Sequence, residues 1–309
     1  MSLISPFQKT IFISTLVVLL STSSLSAQNT LEFVQDGFNN SYRGQIPKGP
    51  TSAPQTLTFF FNKDGSLDHG IYFLPMKHKL TVTVSLEDQT FVDVLQHQTG
   101  ISFGATSGAS PNQVKSTSVF NTNYQYTDTT RVLFTSHPLG KPGKGINLSM
   151  NPGLQVFLSA KPLYAMNAPK SDTSRYYYGR VRLVFDRPVS NPVISLIGLG
   201  ASTNFAGKRL GFATELDLLN PGLKLTRLSG NDQMKLDPNQ TKILHSKGAI
   251  SGSCETGAAC GSLLVRGENI DNLVFGVYLR ADGGSGAWGT PKVTNSGDMW
   301  HLVISLPEQ

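Results

Sequence analysis

The chain has 309 residues, a formal net charge of +6 and only 15% charged side chains, against about 25% in a typical soluble domain. Helical bundles and coiled coils draw heavily on Glu, Lys and Arg, so this composition excludes them. The 39% apolar fraction supplies a core and excludes a disordered tail; what remains is a Gly-, Ser-, Thr- and Asn-rich chain of the kind common among extracellular β-proteins.

Residues 1–10 carry one charge, Lys9, ahead of the apolar run Ile11–Leu20 and the small polar stretch Ser21–Ala27. That order reads as a secretory signal peptide cut after Ala27, with an uncleaved N-terminal anchor as the alternative. The run is shorter than the roughly 20 residues of a helical span. No later run reaches that length, so no membrane span is expected after signal removal. Residues 28–309 then form one domain of 282 residues carrying +5, secreted, extracellular or held at the cell surface.

Alternation of apolar and polar residues dominates from there on. Leu57, Phe59 and Phe61 alternate, and Leu80, Val82, Val84 and Leu86 do so with hydroxyl residues between them. Asp88–His97 is ambiguous, because Phe91, Val92 and Leu95 suit a helix. Further strands are read at Leu154–Leu158, Val181–Phe185, Leu273–Leu279 and Trp300–Leu306. Turn signals separate them at Lys63-Asp-Gly65, Asn151-Pro-Gly153, Asn220-Pro-Gly222, Ser229-Gly-Asn231 and Arg266–Asn269. Many short alternating strands with such punctuation predict an all-β fold, an antiparallel β-sandwich. A soft seam at 168–172 marks either a boundary or a crossover between sheets.

Catalytic signatures are missing. The chain has no zinc-binding His-Glu-x-x-His, no Gly-x-Ser-x-Gly elbow and no phosphate loop, and its six histidines are dispersed. Glu215, Asp217, Asp282 and Asp298 are the acids near strand ends from which a glycosidase pair would be drawn. Cys254 and Cys260 lie six apart and read as a disulfide in an exported protein. Asn62, Asp64, Ser66 and Asp68 place oxygen donors at every second position around a glycine. They are a Ca²⁺ candidate, with an ordinary hairpin turn as the alternative; no other cofactor is expected. The glycine-rich loop around Asp282 and Trp288, with Asp298 nearby, reads as an exposed ligand-binding surface presenting an indole. Tyr176, Tyr177 and Tyr178 add aromatic area to it, unless they cover a sheet edge while Trp300 packs in the core. The basic residues are scattered, whereas nucleic-acid binders cluster them with aromatics, so no nucleic-acid partner is expected.

From Tyr178 onward the chain carries Tyr178-Gly-Arg-Val-Arg-Leu-Val-Phe185, Arg187-Pro-Val-Ser-Asn-Pro-Val193 and Ile197-Gly-Leu-Gly200. Phe212-Ala-Thr-Glu-Leu216, Leu225-Thr-Arg-Leu-Ser-Gly-Asn231 and Gly261-Ser-Leu-Leu-Val-Arg-Gly267 follow, then Val277-Tyr-Leu-Arg-Ala-Asp-Gly-Gly284 and Ser296-Gly-Asp298. In these stations it resembles the second non-repetitive domain of CshA-type fibrillar adhesins. The resemblance implies a lectin-like, jelly-roll-type sandwich in a bacterial adhesin, without catalytic residues. The implied partner is a host extracellular-matrix glycoprotein, fibronectin for the named adhesin, or a glycan. A carbohydrate-active enzyme on a similar sandwich and a structural exoprotein of an extracellular matrix are the alternatives.

Overall fold

The alternating runs become strands because each has one face that must leave water. The computed structural model describes residues 30–35, 50–62, 73–92, 100–104, 117–119, 133–135, 152–246, 248–289 and 296–307. Seventeen strands are found among them. The N-terminal part of the chain supplies β1 (Thr30–Gln35), β2 (Gln55–Asn62), β3 (Phe73–Pro75), β4 (Thr81–Glu87), β5 (Ile101–Phe103), β6 (Thr117–Val119) and β7 (Pro152–Ser159). After a short helix α1 (Lys161–Ala165) come β8 (Arg175–Val189), β9 (Val193–Leu199), β10 (Ala201–Phe205) and β11 (Lys208–Leu218). The last six are β12 (Lys224–Gly230), β13 (Met234–Leu236), β14 (Lys242–His245), β15 (Ala259–Arg266), β16 (Ile270–Ala281) and β17 (Gly297–Pro307).

Pairing is antiparallel throughout and builds two packed sheets, as the alternation predicts. Sheet one runs β2–β4–β8–β16–β11, with β3 beside β4 on the same edge of β2, β10 and β14 sharing the far edge of β11, and β13 beyond β14. Sheet two runs β12–β15–β9–β17–β7, with β5 and β6 on the outer edge of β7. β1 pairs with both β17 and β2 and so joins the two sheets. The 168–172 segment, buried at Ala168, carries the chain from β7 in sheet two to β8 in sheet one.

The core lies between the sheets. Leu57, Phe59, Val82, Val84, Leu183 and Phe185 pack with Leu154, Val156, Leu158, Leu302 and Ile304 in it, with Leu273, Phe275, Val277, Leu279 and Trp300 completing the layer. Each such side chain contributes roughly 1.5–3 kcal/mol by leaving water. Trp300 is thus a core residue. Asp88 to Val92 form bends instead of the helical turn their spacing allows, because Thr90 N–H is taken by the Tyr178 carbonyl at 3.0 Å. Cys254 and Cys260 form the expected disulfide. Its loop is held further by Asn231, whose amide donates to the Cys254 and Ala258 carbonyls at 2.8 and 2.7 Å. Closing so short a loop contributes about 2 kcal/mol.

One irregularity matters for the site. On β8 the register slips, so that Val277 of β16 faces Gly179 while Tyr278 faces Tyr177, leaving Tyr178 as the extra residue of a β-bulge. The bulge lets Tyr178 and Val181 both point into the core while Tyr177 and Arg180 both point out. Gly179 sits there at φ +149°, and a side chain on it would press on the backbone of residues 87–89.

Candidate functional site

The glycine-rich loop does not present its indole to solvent, although Gly283 and Ser285 are exposed. Trp288 is 2% exposed. Its indole N–H donates to the Ala168 carbonyl at 3.0 Å, and its ring packs against Phe212 and edge-on against Tyr176. The expectation of an exposed indole is corrected. Glycines here signal close packing: a side chain at Gly286 would fall 2.5 Å from the Arg209 backbone. Asp282 points inward too. Its Oδ1 accepts the Gly211 and Gly284 N–H groups, and its Oδ2 accepts Ile250 N–H and the Arg209 guanidinium.

Asp298 is fully buried, against the reading that placed it on the surface. It accepts Gly200 N–H at 3.0 Å and Thr214 N–H at 2.7 Å. Burial raises its pKa to about 6, and those hydrogen bonds offset part of the rise. Tyr178 is buried as well, donating to the Ser159 carbonyl at 2.7 Å, and burial pushes its phenol well above the ordinary value. Tyr176 bonds to the Pro169 carbonyl and braces Trp288. Of the six residues expected at the ligand surface, Tyr177 alone lies on the outer face of a sheet.

The acids proposed for a hydrolase are held in internal bonds. Glu215 is buried between the guanidinium groups of Arg280 and Arg175, each at 2.7 Å, and also accepts His245 N–H. Arg280 uses its remaining N–H groups on the carbonyls of Asp172, Ala281, His245 and Ser246. Asp217 takes Arg175 in a bidentate pair at 2.7 and 3.2 Å. Among the described residues, no group of three or more His, Cys, Asp or Glu side chains is placed to hold a metal. Asn62 ends β2, while Asp64, Ser66 and Asp68 lie outside the described residues.

What the strands do bring together is a polar and aromatic ridge on the outer face of sheet one. Register sets Lys242, Asp217, Gly276, Arg180 and Glu87 side by side across β14, β11, β16, β8 and β4. The adjacent row is Glu215, Tyr278 and Tyr177. The tyrosine rings lie 5.4 Å apart, tilted by 55°, and the Arg175 guanidinium stacks 4.1 Å over Tyr278. Tyr177 donates its hydroxyl to Asp88 Oδ2 at 3.0 Å, and Arg180 approaches the same oxygen at 3.5 Å. Partial burial and the Asp88 charge raise the Tyr177 phenol above its ordinary value. Asp88 itself sits at φ +52°, the left-handed region that non-glycine residues adopt at a cost. Tyr278, Arg175, Arg180 and Asp88 escape a sequence reading. Tyr278 sits at an outward position of an apolar strand, which is visible, but its partner across the sheet is not.

No family model matches the chain, and no curated protein matches it, so the CshA-type family is not shown. Two solved structures are matched at low similarity. One is the adhesin domain of PrgB from Enterococcus faecalis, at 10% identity and TM-score 0.32, matched over 84% of this chain and 65% of that one. The other is the same adhesin domain bound to DNA, at 11% identity and TM-score 0.30, over 83% of this chain and 68% of that one. This chain therefore spans about two thirds of the length of the adhesin domain it matches. The expectation of no nucleic-acid partner, drawn from scattered basic residues, is corrected here: the second structure is an adhesin domain with DNA bound. Among the described residues, no helix is long and apolar enough to cross a membrane.

Proposed function

We propose that this chain is a secreted or surface-associated binding module of the adhesin kind, without catalytic activity, that engages a glycan-bearing target. The observation that supports this reading is a contrast between enclosed acids and an aromatic face of sheet one that meets water. Glu215, Asp282 and Asp298 are enclosed, fixed by backbone N–H groups and guanidinium ions, and present no open pair of carboxyls. On the outer side, Tyr177 and Tyr278 stand on a rigid sheet with charged side chains locked beside them. Aromatic rings on a stiff support with fixed polar neighbours suit recognition, since little freedom is lost when a ligand arrives. A single face of this size binds modestly, and many copies on one surface raise the avidity.

Surface plasmon resonance over immobilised glycoproteins, oligosaccharides and double-stranded DNA tests the reading. The expected result is binding to a glycosylated surface that Tyr177→Ala abolishes without changing the unfolding temperature. Release of reducing ends from a polysaccharide panel by the wild-type chain would establish an enzyme instead.

A further inference from the structure

Resting on that reading, the geometry points to a specific ligand chemistry: the Asp88–Tyr177–Arg180 group takes a neutral sugar ring through two adjacent hydroxyls. Three independent features converge on this group. Asp88 ends β4 in a left-handed conformation, at φ +52°. Opposite it, the β8 bulge turns Tyr177 and Arg180 outward together. The Tyr177 hydroxyl and Arg180 both address one oxygen of the carboxylate, Oδ2. They fix its orientation, while Oδ1 makes no bond to any described residue. The Asp88 side chain is 61% exposed and that of Arg180 46%, so an aimed acceptor and an aimed donor lie side by side in contact with water.

The charges of this face are held in ion pairs, with Lys242 and Arg280 adding to Asp217 and Glu215. Arg180 faces Asp88, Arg182 faces Glu87, and Arg175 faces Asp217 and Glu215. Charges paired in this way supply fixed donors and acceptors. A vicinal diol needs both: a carboxylate oxygen to accept one hydroxyl proton and a guanidinium N–H to donate to the neighbouring oxygen. The Tyr177 ring, tilted against Tyr278, offers an apolar surface beside them for the C–H face of a pyranose. Asp88, Tyr177 and Arg180 thus form a site for an uncharged saccharide, with Asp88 as the residue that fixes its orientation.

Isothermal titration of the full chain with maltotriose, mannotriose and N-acetyllactosamine, and separately with heparin and a DNA duplex, at 50 and 300 mM NaCl, tests this. Binding of at least one neutral saccharide is expected, with an affinity that changes less than about twofold between the two salt concentrations. Asp88→Asn and Arg180→Gln should each weaken it at least tenfold. Asn suits the left-handed backbone at position 88, so that variant keeps the fold, and an unchanged unfolding temperature checks this. Tyr177→Phe, which keeps the ring and frees the carboxylate, should give a smaller loss. Saccharide binding untouched by all three variants overturns the site and leaves the binding-module reading in place. Binding confined to heparin or DNA, falling steeply with salt, overturns the ligand class alone. Binding to none of the probes overturns both.

Discussion

Asp298 and His301 lie three residues apart on β17, on opposite faces of the strand, and both are buried. Burial moves them in opposite senses through the same pH range. Asp298 rises from 3.8 to about 6. Between those values the folded chain holds a proton that the unfolded chain has released. Stability from this group is therefore fully present below pH 3.8 and is lost as pH rises through 6. At 1.36 kcal/mol per pH unit the loss is about 3 kcal/mol. His301 falls from 6.5 to about 4, so here the unfolded chain holds the extra proton. Its contribution is present above pH 6.5 and is lost as pH falls through 4, again by about 3 kcal/mol. Across pH 4 to 6 the two slopes oppose each other and nearly cancel. His301→Gln removes one of them, and the stability of that variant relative to wild type should fall by about 3 kcal/mol as pH rises from 4 to 6.5. Asp298→Asn should show the reverse trend, rising by about 3 kcal/mol over pH 4 to 6. Urea unfolding at half-unit pH steps measures this, with the difference from wild type cancelling the carboxylates common to both. Parallel curves for wild type and both variants would refute the assignment of these two groups as an opposed pair.

Two further outcomes separate the buried loop from the exposed ridge. Trp288→Ala removes a core indole and leaves the Ala168 carbonyl without its donor, so it should cost about 3–5 kcal/mol in urea unfolding. A cost below 1 kcal/mol would mean that the loop is open to solvent after all. Arg280→Met strips Glu215 of one of its two guanidinium partners and four carbonyls of a donor. It should destabilise by about 3–5 kcal/mol, and Arg280→Lys should recover little, since one ammonium cannot reach so many acceptors; full recovery by lysine would contradict the network.

The site shows where sequence reasoning stops. Glycines around Trp288 read as freedom to expose an indole, yet Gly284 and Gly286 are small because the Arg209–Leu210 backbone lies against them. The same composition serves an open loop or a tightly packed one, and what decides is a strand over 70 residues earlier in the chain. Tyr176, Tyr177 and Tyr178 are identical in type, but the period of two assigns alternate faces, and only Tyr177 points outward. Which of the three it would be depended on the bulge at Tyr178, which appears only when β8 is laid against β16. Asp88 read as part of an ambiguous helical stretch, because its tie to Tyr177 spans 89 residues.

By itself the sequence determined the fold class, the positions of the main strands and the disulfide. Those features depend on a period of two, on turn residues and on a short cysteine spacing, all local in the chain. The tertiary structure decided which acids were enclosed, which aromatic rings met water and which charges were paired. Hydrogen-bond partners and burial come from residues brought together across sheets, and no local pattern encodes them. A low charge fraction that first served only to exclude classes thus has a physical arrangement behind it. Among the described residues, charges on the outer face of sheet one are set in ion pairs, enclosed around Glu215 and open to water beside Tyr177.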